Sequence, residues 1–267
     1  MCGIAGYKVD KPLGGDVLNE MVDALYHRGP DTSGYYKTDG YYVGMRRLCI
    51  NDVENGNQPL YNEKNDIVLM YNGEIYNSGE LKEELARKGY RFRTGSDGEV
   101  ICHLYEDVGE KLFEKLDGMY AVVLWIENEQ KLILARDIPG EKPLYYSCLS
   151  ETELVFASEV KSLRRFPRLN NDLNIQAIWD FPTFLWVPEP DTIFKQVKAL
   201  MPGELLIADG QGIRVQTISN TFKKFEIGTS YQEVFSEITG LHLFEEQKGS
   251  QSNYWLQALL LDDSVAS

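Results

Sequence analysis

The chain has 267 residues, enough for one large domain or two small ones with a buried core. Its hydrophobic share of 43% and charged share of 25% are those of an ordinary globular protein. A net charge of −14, from 41 acidic against 27 basic residues, excludes the basic footprint of a nucleic-acid surface. Cys2, Cys49, Cys102 and Cys148 lie far apart with no CxxC spacing, so no zinc or redox motif is visible. The N-terminus lacks the basic and apolar regions of a signal peptide, and no apolar run is long enough to span a bilayer. These features predict a cytoplasmic protein with reduced thiols, engaging neither membrane nor nucleic acid.

In chain order, Cys2 to Val9 reads as a short apolar strand, and Asp16 to Tyr26 as a helix announced by Val17, Leu18, Met21, Val22 and Leu25. Tyr41 to Ile50 and Asp66 to Tyr71 read as strands. Ser78 to Lys88 is an amphipathic helix stopped at Gly89. Asp97 to Val108 predicts a second helix and Glu110 to Leu116 a shorter one. The apolar runs Met119–Trp125 and Lys131–Arg136 flank the polar turn 127–130 and predict a hairpin; Leu144–Cys148 and Glu153–Ala157 form another pair. Continuous rather than alternating apolar runs mark strands buried on both faces, which two stacked sheets with helices outside would supply. From about Asn220 the chain turns Lys/Glu-rich and Ser/Gln-rich, and strand signals weaken.

The second residue is a cysteine. A small residue after the initiator usually permits removal of Met1, which would give Cys2 both a thiol and a free α-amine, a nucleophile with its own proton acceptor. An ordered series of motifs follows Met1-Cys2-Gly3-Ile4-Ala5-Gly6: His27-Arg28-Gly29-Pro30-Asp31, Arg47-Leu48-Cys49-Ile50, Gln58-Pro59-Leu60, Tyr71-Asn72-Gly73-Glu74-Ile75-Tyr76-Asn77, Thr94-Gly95-Ser96-Asp97, Asp117-Gly118-Met119, Ala135-Arg136-Asp137, Lys142-Pro143-Leu144-Tyr145-Tyr146 and Phe156-Ala157-Ser158-Glu159. The series resembles the glutaminase domain of class II glutamine amidotransferases, in the asparagine synthetase branch. It runs from Met1 to about Val215. On that basis a domain is expected over 1–216, with a divergent tail of unknown role over 217–267.

The resemblance implies an α+β N-terminal-nucleophile hydrolase fold, a four-layer αββα sandwich of two antiparallel sheets. It also implies hydrolysis of glutamine to glutamate and ammonia, with Cys2 as nucleophile. The Asn72 side-chain amide and the Gly73 backbone N–H would be the oxyanion donors, where each donor is worth several kcal/mol. Arg47 would hold the substrate α-carboxylate, Glu74 and Asp97 the α-ammonium, and Ile50 and Asn51 would complete the pocket. No cofactor is expected for this reaction. ATP and Mg would belong to a synthetase domain, whose Ser-Gly-Gly-x-Asp-Ser loop this sequence does not contain. A separate synthetase subunit or a homodimer is the expected partner.

Residue chemistry alone leaves alternatives open. Arg47 and Asp97 could be surface charges, and Asn72-Gly73 is also the strongest hairpin-turn dipeptide. His27 is a catalytic candidate by type, but the family uses its segment as a structural turn; His103 and His242 receive no role. A truncated or fused relic, or a non-catalytic glutamine-binding module, would carry many of the same residues. The chain also departs from the family pattern. Met45 stands where His is common, Pro139 and Glu141 alter a loop, and Gly98 replaces the usual Thr or Cys, loosening a helix start by up to ~1 kcal/mol. Residues 252–262 faintly resemble a C-terminal segment of pyridoxal-phosphate sugar aminotransferases, the alternative being an unrelated linker.

Overall fold

The computed structural model describes residues 1–50, 52 and 56–218, with Leu241–Leu243 and Leu259–Leu261 described as strands only. Met1–Ser219 forms one compact unit and Asn220–Ser267 a second. In the second unit those two strands pair antiparallel. Residues 252–258 and 262 of the aminotransferase-like segment and Asn51 lie outside the described residues, and the side chains of His242 and Leu259–Leu261 outside the described side chains.

The first unit contains two six-stranded antiparallel sheets. One is ordered β10(Lys198–Ala199), β8(Tyr145–Cys148), β9(Leu154–Ala157), β1(Gly3–Lys8), β3(Tyr41–Arg47), β2(Thr32–Thr38). The other is ordered β12(Gly212–Thr217), β11(Glu204–Asp209), β7(Lys131–Arg136), β6(Gly118–Ile126), β5(Ile67–Ile75), β4(Leu60–Tyr61). Helices α2(Ser78–Arg87) and α3(Glu99–Val108) cover the second sheet; α1(Val17–Asp23) and the short α4(Val160–Leu163) cover the first; α5(Ile175–Phe184) follows.

Side-chain alternation along each strand assigns the layers. On β5, Ile67, Leu69, Tyr71 and Ile75 join Leu81, Leu85, Ile101 and Leu104 of the helices in one core. Val68 and Met70 point the other way and meet Ile4, Val43, Met45 and Phe156 in the core between the sheets. Ala5 and Tyr7 pack outward on Leu18, Met21 and Leu163. These three cores make the expected αββα sandwich. Burial of each large side chain contributes about 1.5–3 kcal/mol, and the Tyr41 ring stacks on Trp125 in the central layer at 4.4 Å.

Several elements differ from the sequence pattern for identifiable reasons. Asn72-Gly73 is no hairpin turn: β5 continues through it to Ile75, paired with β6 in the register Asn72↔Ala121 and Gly73↔Tyr120. Helix α3 starts at Glu99, two residues after Asp97, because both Asp97 oxygens are bonded outside the helix. Strand β2, with its alternating exposure on a sheet edge, carries no continuous apolar run to announce it, and neither do β10 and β12; the apolar run Leu205–Ala208 forms β11. Among the described residues no helix is long and apolar enough to cross a membrane.

Candidate active site

One cleft is lined by Cys2, Arg47, Ile50, Asn72, Gly73, Glu74 and Asp97. It therefore gathers every sequence-predicted site residue whose placement is described. The sandwich explains the convergence. Gly3 pairs with Arg46 on β3, so their chain neighbours Cys2 and Arg47 sit at the same end of the first sheet. Asn72 shares strand parity with Val68 and Met70 and so belongs to the face between the sheets, toward which Cys2 also packs.

The Cys2 thiol lies against the Leu48 peptide. The Leu48 N–H donates to Sγ at 3.4 Å, and Sγ donates to the Leu48 carbonyl at 3.7 Å. Arg28 fixes the main chain of the nucleophile: its Nε donates to the Cys2 carbonyl at 2.8 Å and its Nη1 to Glu159 at 3.0 Å. Burial raises the Glu159 carboxyl, but bonds from Arg28 and His27, the charge of His27 and the bond from Lys161 outweigh it and lower the group. His27 is thereby accounted for as scaffold, its Nε2 at 2.9 Å from Glu159.

Opposite the thiol, the Asn72 side chain is 3% exposed and its Nδ2 has no hydrogen-bond partner. A buried amide donor left unpaired costs about 1–3 kcal/mol and is rare in native proteins. Next to it, the Gly73 N–H points off the sheet. Tyr120, the residue paired with Gly73, directs both its N–H and its C=O to Asp137 on the far side. Gly73↔Tyr120 is thus a non-hydrogen-bonded pair, whose backbone groups point away from each other. On that same edge the Gln58 side chain caps the preceding outward residue, bonding the Tyr71 carbonyl at 2.9 Å and the Tyr71 N–H at 2.6 Å. Strand β4 pairs with Val68 and Leu69 only, so among the described residues no strand pairs with the Gly73 edge. Only glycine fits there, because a Cβ would lie 2.1 Å from the Met119 carbonyl oxygen.

The far end of the cleft carries charge of both signs. Arg47 is 5% exposed; its Nη1 donates to Asn57 Oδ1 and its Nη2 to the Asp52 carbonyl, each at 2.9 Å. Asp97 accepts the Ile75 N–H at 2.7 Å and a short bond from the Tyr71 hydroxyl. Burial and the Asp97 carboxylate push the Tyr71 hydroxyl well above its usual range, so it serves as a donor. The Tyr71 ring occupies the space a side chain at 98 would need: a Cβ on Gly98 would lie 2.2 Å from its Cε1. Gly98 precedes the first turn of α3, so its expected cost inside the helix does not arise. Glu74 and Ile50 line the mouth and are exposed.

Arg28, Gln58, Tyr71, Ser96 and Lys142 also build or line the cleft, though patterning assigned them no role. Each lies inside a quoted motif, which was the available signal. Gln58 reaches Tyr71 across 13 residues of chain and Arg28 reaches Glu159 across 131, and spacing does not encode such partners.

Two antiparallel sheets stacked between helices, with a cysteine at the head of an inner strand and a buried unpartnered amide in the same cleft, make the fold that of the N-terminal-nucleophile hydrolases. The profile of the glutamine amidotransferase domain family matches residues 1–219, and the chain belongs to that family. The chain is 42% identical over 210 residues to asparagine synthetase [glutamine-hydrolyzing] 1 of Bacillus subtilis, covering 76% of this chain and 33% of that protein. It is 47% identical over 144 residues to asparagine synthetase [glutamine-hydrolyzing] 3 of Arabidopsis thaliana, covering 54% and 25%. The chain thus spans a third or less of these relatives. Among solved structures, the glutamine phosphoribosylpyrophosphate amidotransferase of B. subtilis superposes with a TM-score of 0.60 at 22% identity, over 83% of this chain and 50% of that one. The allosteric regulatory enzyme of purine biosynthesis superposes at 0.63 and 21%, with the same coverage. At such identities these two likenesses speak for the fold.

Proposed function

We propose that this chain hydrolyses the side-chain amide of glutamine to glutamate and ammonia through a thioester on Cys2. The observation that carries the reading is the buried, unpartnered Asn72 Nδ2 in the same cleft as the Cys2 thiol. With Met1 removed, the α-amine of Cys2 takes the Sγ proton as sulfur attacks the amide carbon. The oxyanion is received by Asn72 Nδ2 and the Gly73 N–H, donors already in place before charge develops. As the tetrahedral intermediate collapses, the C–N bond breaks and the α-ammonium returns its proton to the departing ammonia. Water, deprotonated by the α-amine, then attacks the thioester; the C–S bond breaks to release glutamate, and the α-ammonium returns the proton to the departing Cys2 sulfur. Arg47 pairs with the α-carboxylate, and Asp97 and Glu74 with the α-ammonium. The proposed steps use no metal or organic cofactor; ATP and Mg would belong to synthetase chemistry and not to this hydrolysis.

The test uses untagged protein and the glutamine-mimicking diazoketone 6-diazo-5-oxo-norleucine. The expected result is a parent mass lacking Met1, one covalent adduct mapping to Cys2, and glutamine turnover abolished by that adduct. A processed chain that forms no adduct and releases no ammonia would overturn the reading in favour of a relic or a binding module.

The ammonia acceptor calls for a partner, and a synthetase-type chain is the one this reading expects. One observation supports it: α5 with its flanks exposes Trp179 by 73%, Leu185 by 79% and Trp186 by 58%, a patch of the kind found at protein interfaces. Light scattering of the purified chain should report a monomer. A stable dimer would instead assign that face to a second copy.

A further inference from the structure

Three titratable side chains behind the cleft have no part in this mechanism: Glu99, His103 and Glu106, one face of α3 at spacings of four and three. His103 is fully buried, with Nε2 at 3.5 Å from Glu99 Oε1 and Nδ1 at 3.5 Å from Glu106 Oε2. Neither ring nitrogen has a closer polar partner. The Phe92 and Tyr90 rings close around it, with centroids at 4.8 and 5.5 Å. Glu106 is also paired with the Lys64 ammonium at 3.2 Å.

Glu99, 1% exposed, turns from this pair to the loop before α3. Its Oε1 accepts the Arg93 N–H at 2.7 Å; its Oε2 accepts the Thr94 N–H at 2.8 Å and the Thr94 hydroxyl at 2.6 Å. Thr94 Oγ1 in turn accepts the Ser96 N–H at 3.2 Å, one residue before Asp97. Burial alone would raise the Glu99 carboxyl, but His103, the Thr94 hydroxyl and the two backbone donors hold it down at about 2.

We propose that Glu106, His103 and Glu99 form a positioning device for the α-amino end of the glutamine site, presenting Asp97 through Thr94. The inference rests on the glutaminase reading of the cleft. None of the three touches substrate, and the reacting atoms lie at the other end of the site. Their effect therefore falls on recognition of the substrate ammonium and leaves bond making and breaking alone.

The experiment compares Glu99→Gln, Thr94→Val and Thr94→Ser with the wild-type chain in two assays. Kinetics are measured with glutamine and with 4-carbamoylbutanoate, which keeps amide and carboxylate but lacks the α-ammonium; amide exchange is measured over residues 93–97. Glu99→Gln and Thr94→Val should raise KM for glutamine about tenfold, with kcat within about threefold of wild type. They should also lose most of the preference for glutamine over the deaminated analogue and exchange faster at 93–97. Thr94→Ser should remain near wild type in all of these. Should Glu99→Gln fail to fold, the Thr94 pair decides the matter, since valine conserves the shape of threonine. Active wild type with unchanged KM, preference and exchange in Thr94→Val overturns the inference and leaves the glutaminase reading intact. Inactive wild type overturns the glutaminase reading; the exchange data alone then decide whether the network holds the loop, and unchanged exchange refutes it.

Discussion

Cys2→Ala should abolish glutamine turnover down to the uncatalysed background while leaving the melting transition within a degree or two of the parent. The expectation has two parts. Without sulfur there is no thioester, and no other nucleophile is bonded to the Leu48 peptide where Sγ now lies. The loss to packing is small because Cys2 is only partly buried at the edge of the central core, and its carbonyl bond to Arg28 is a main-chain contact that alanine retains. A chain that keeps its thiol but carries a blocked N-terminus should be as inactive as Cys2→Ala, since the sulfur then has no α-amine to take its proton. Ammonia release at the parent rate by Cys2→Ala would remove Cys2 from the mechanism, and by the blocked form would remove the α-amine.

Asn72→Ala should lower kcat for glutamine by about 10²–10³, the usual loss on removing one preorganised oxyanion donor. Its effect on stability should be small or favourable, because the substitution deletes a buried Nδ2 that has no partner in the folded chain. Activity and stability therefore part company at this residue. KM should change little, since the bond forms only when charge reaches the oxygen. Equal losses in kcat and in thermal stability would mean that Asn72 supports the strand instead.

Much of the architecture could be read from apolar runs. β6 and β7 lie between two cores and show unbroken hydrophobic stretches, and α2 shows its two buried leucines one turn apart. Strand β2 could not be read that way, because a half-exposed edge such as Thr32–Thr38 offers no continuous run. Asn72-Gly73 illustrates the ambiguity of local signals: the dipeptide favours a turn, yet nine-residue pairing with β6 keeps it extended. The site residues came from ordered motifs rather than from periodicity, and the described ones meet in one cleft. His103 looked idle because nothing in its neighbourhood of sequence discloses that Glu99 reaches back to the Thr94 hydroxyl.

Tyr71 and Gly98 share a single volume, so neither position is free to vary alone. A chain that acquired threonine at 98 would have to give up the tyrosine ring, and with it the hydroxyl that clamps Asp97. Descendants of this sequence should therefore inherit the two as a linked pair: glycine with tyrosine, or a branched residue with something smaller. Grafting one member into a relative without the other would import a steric conflict beside Asp97.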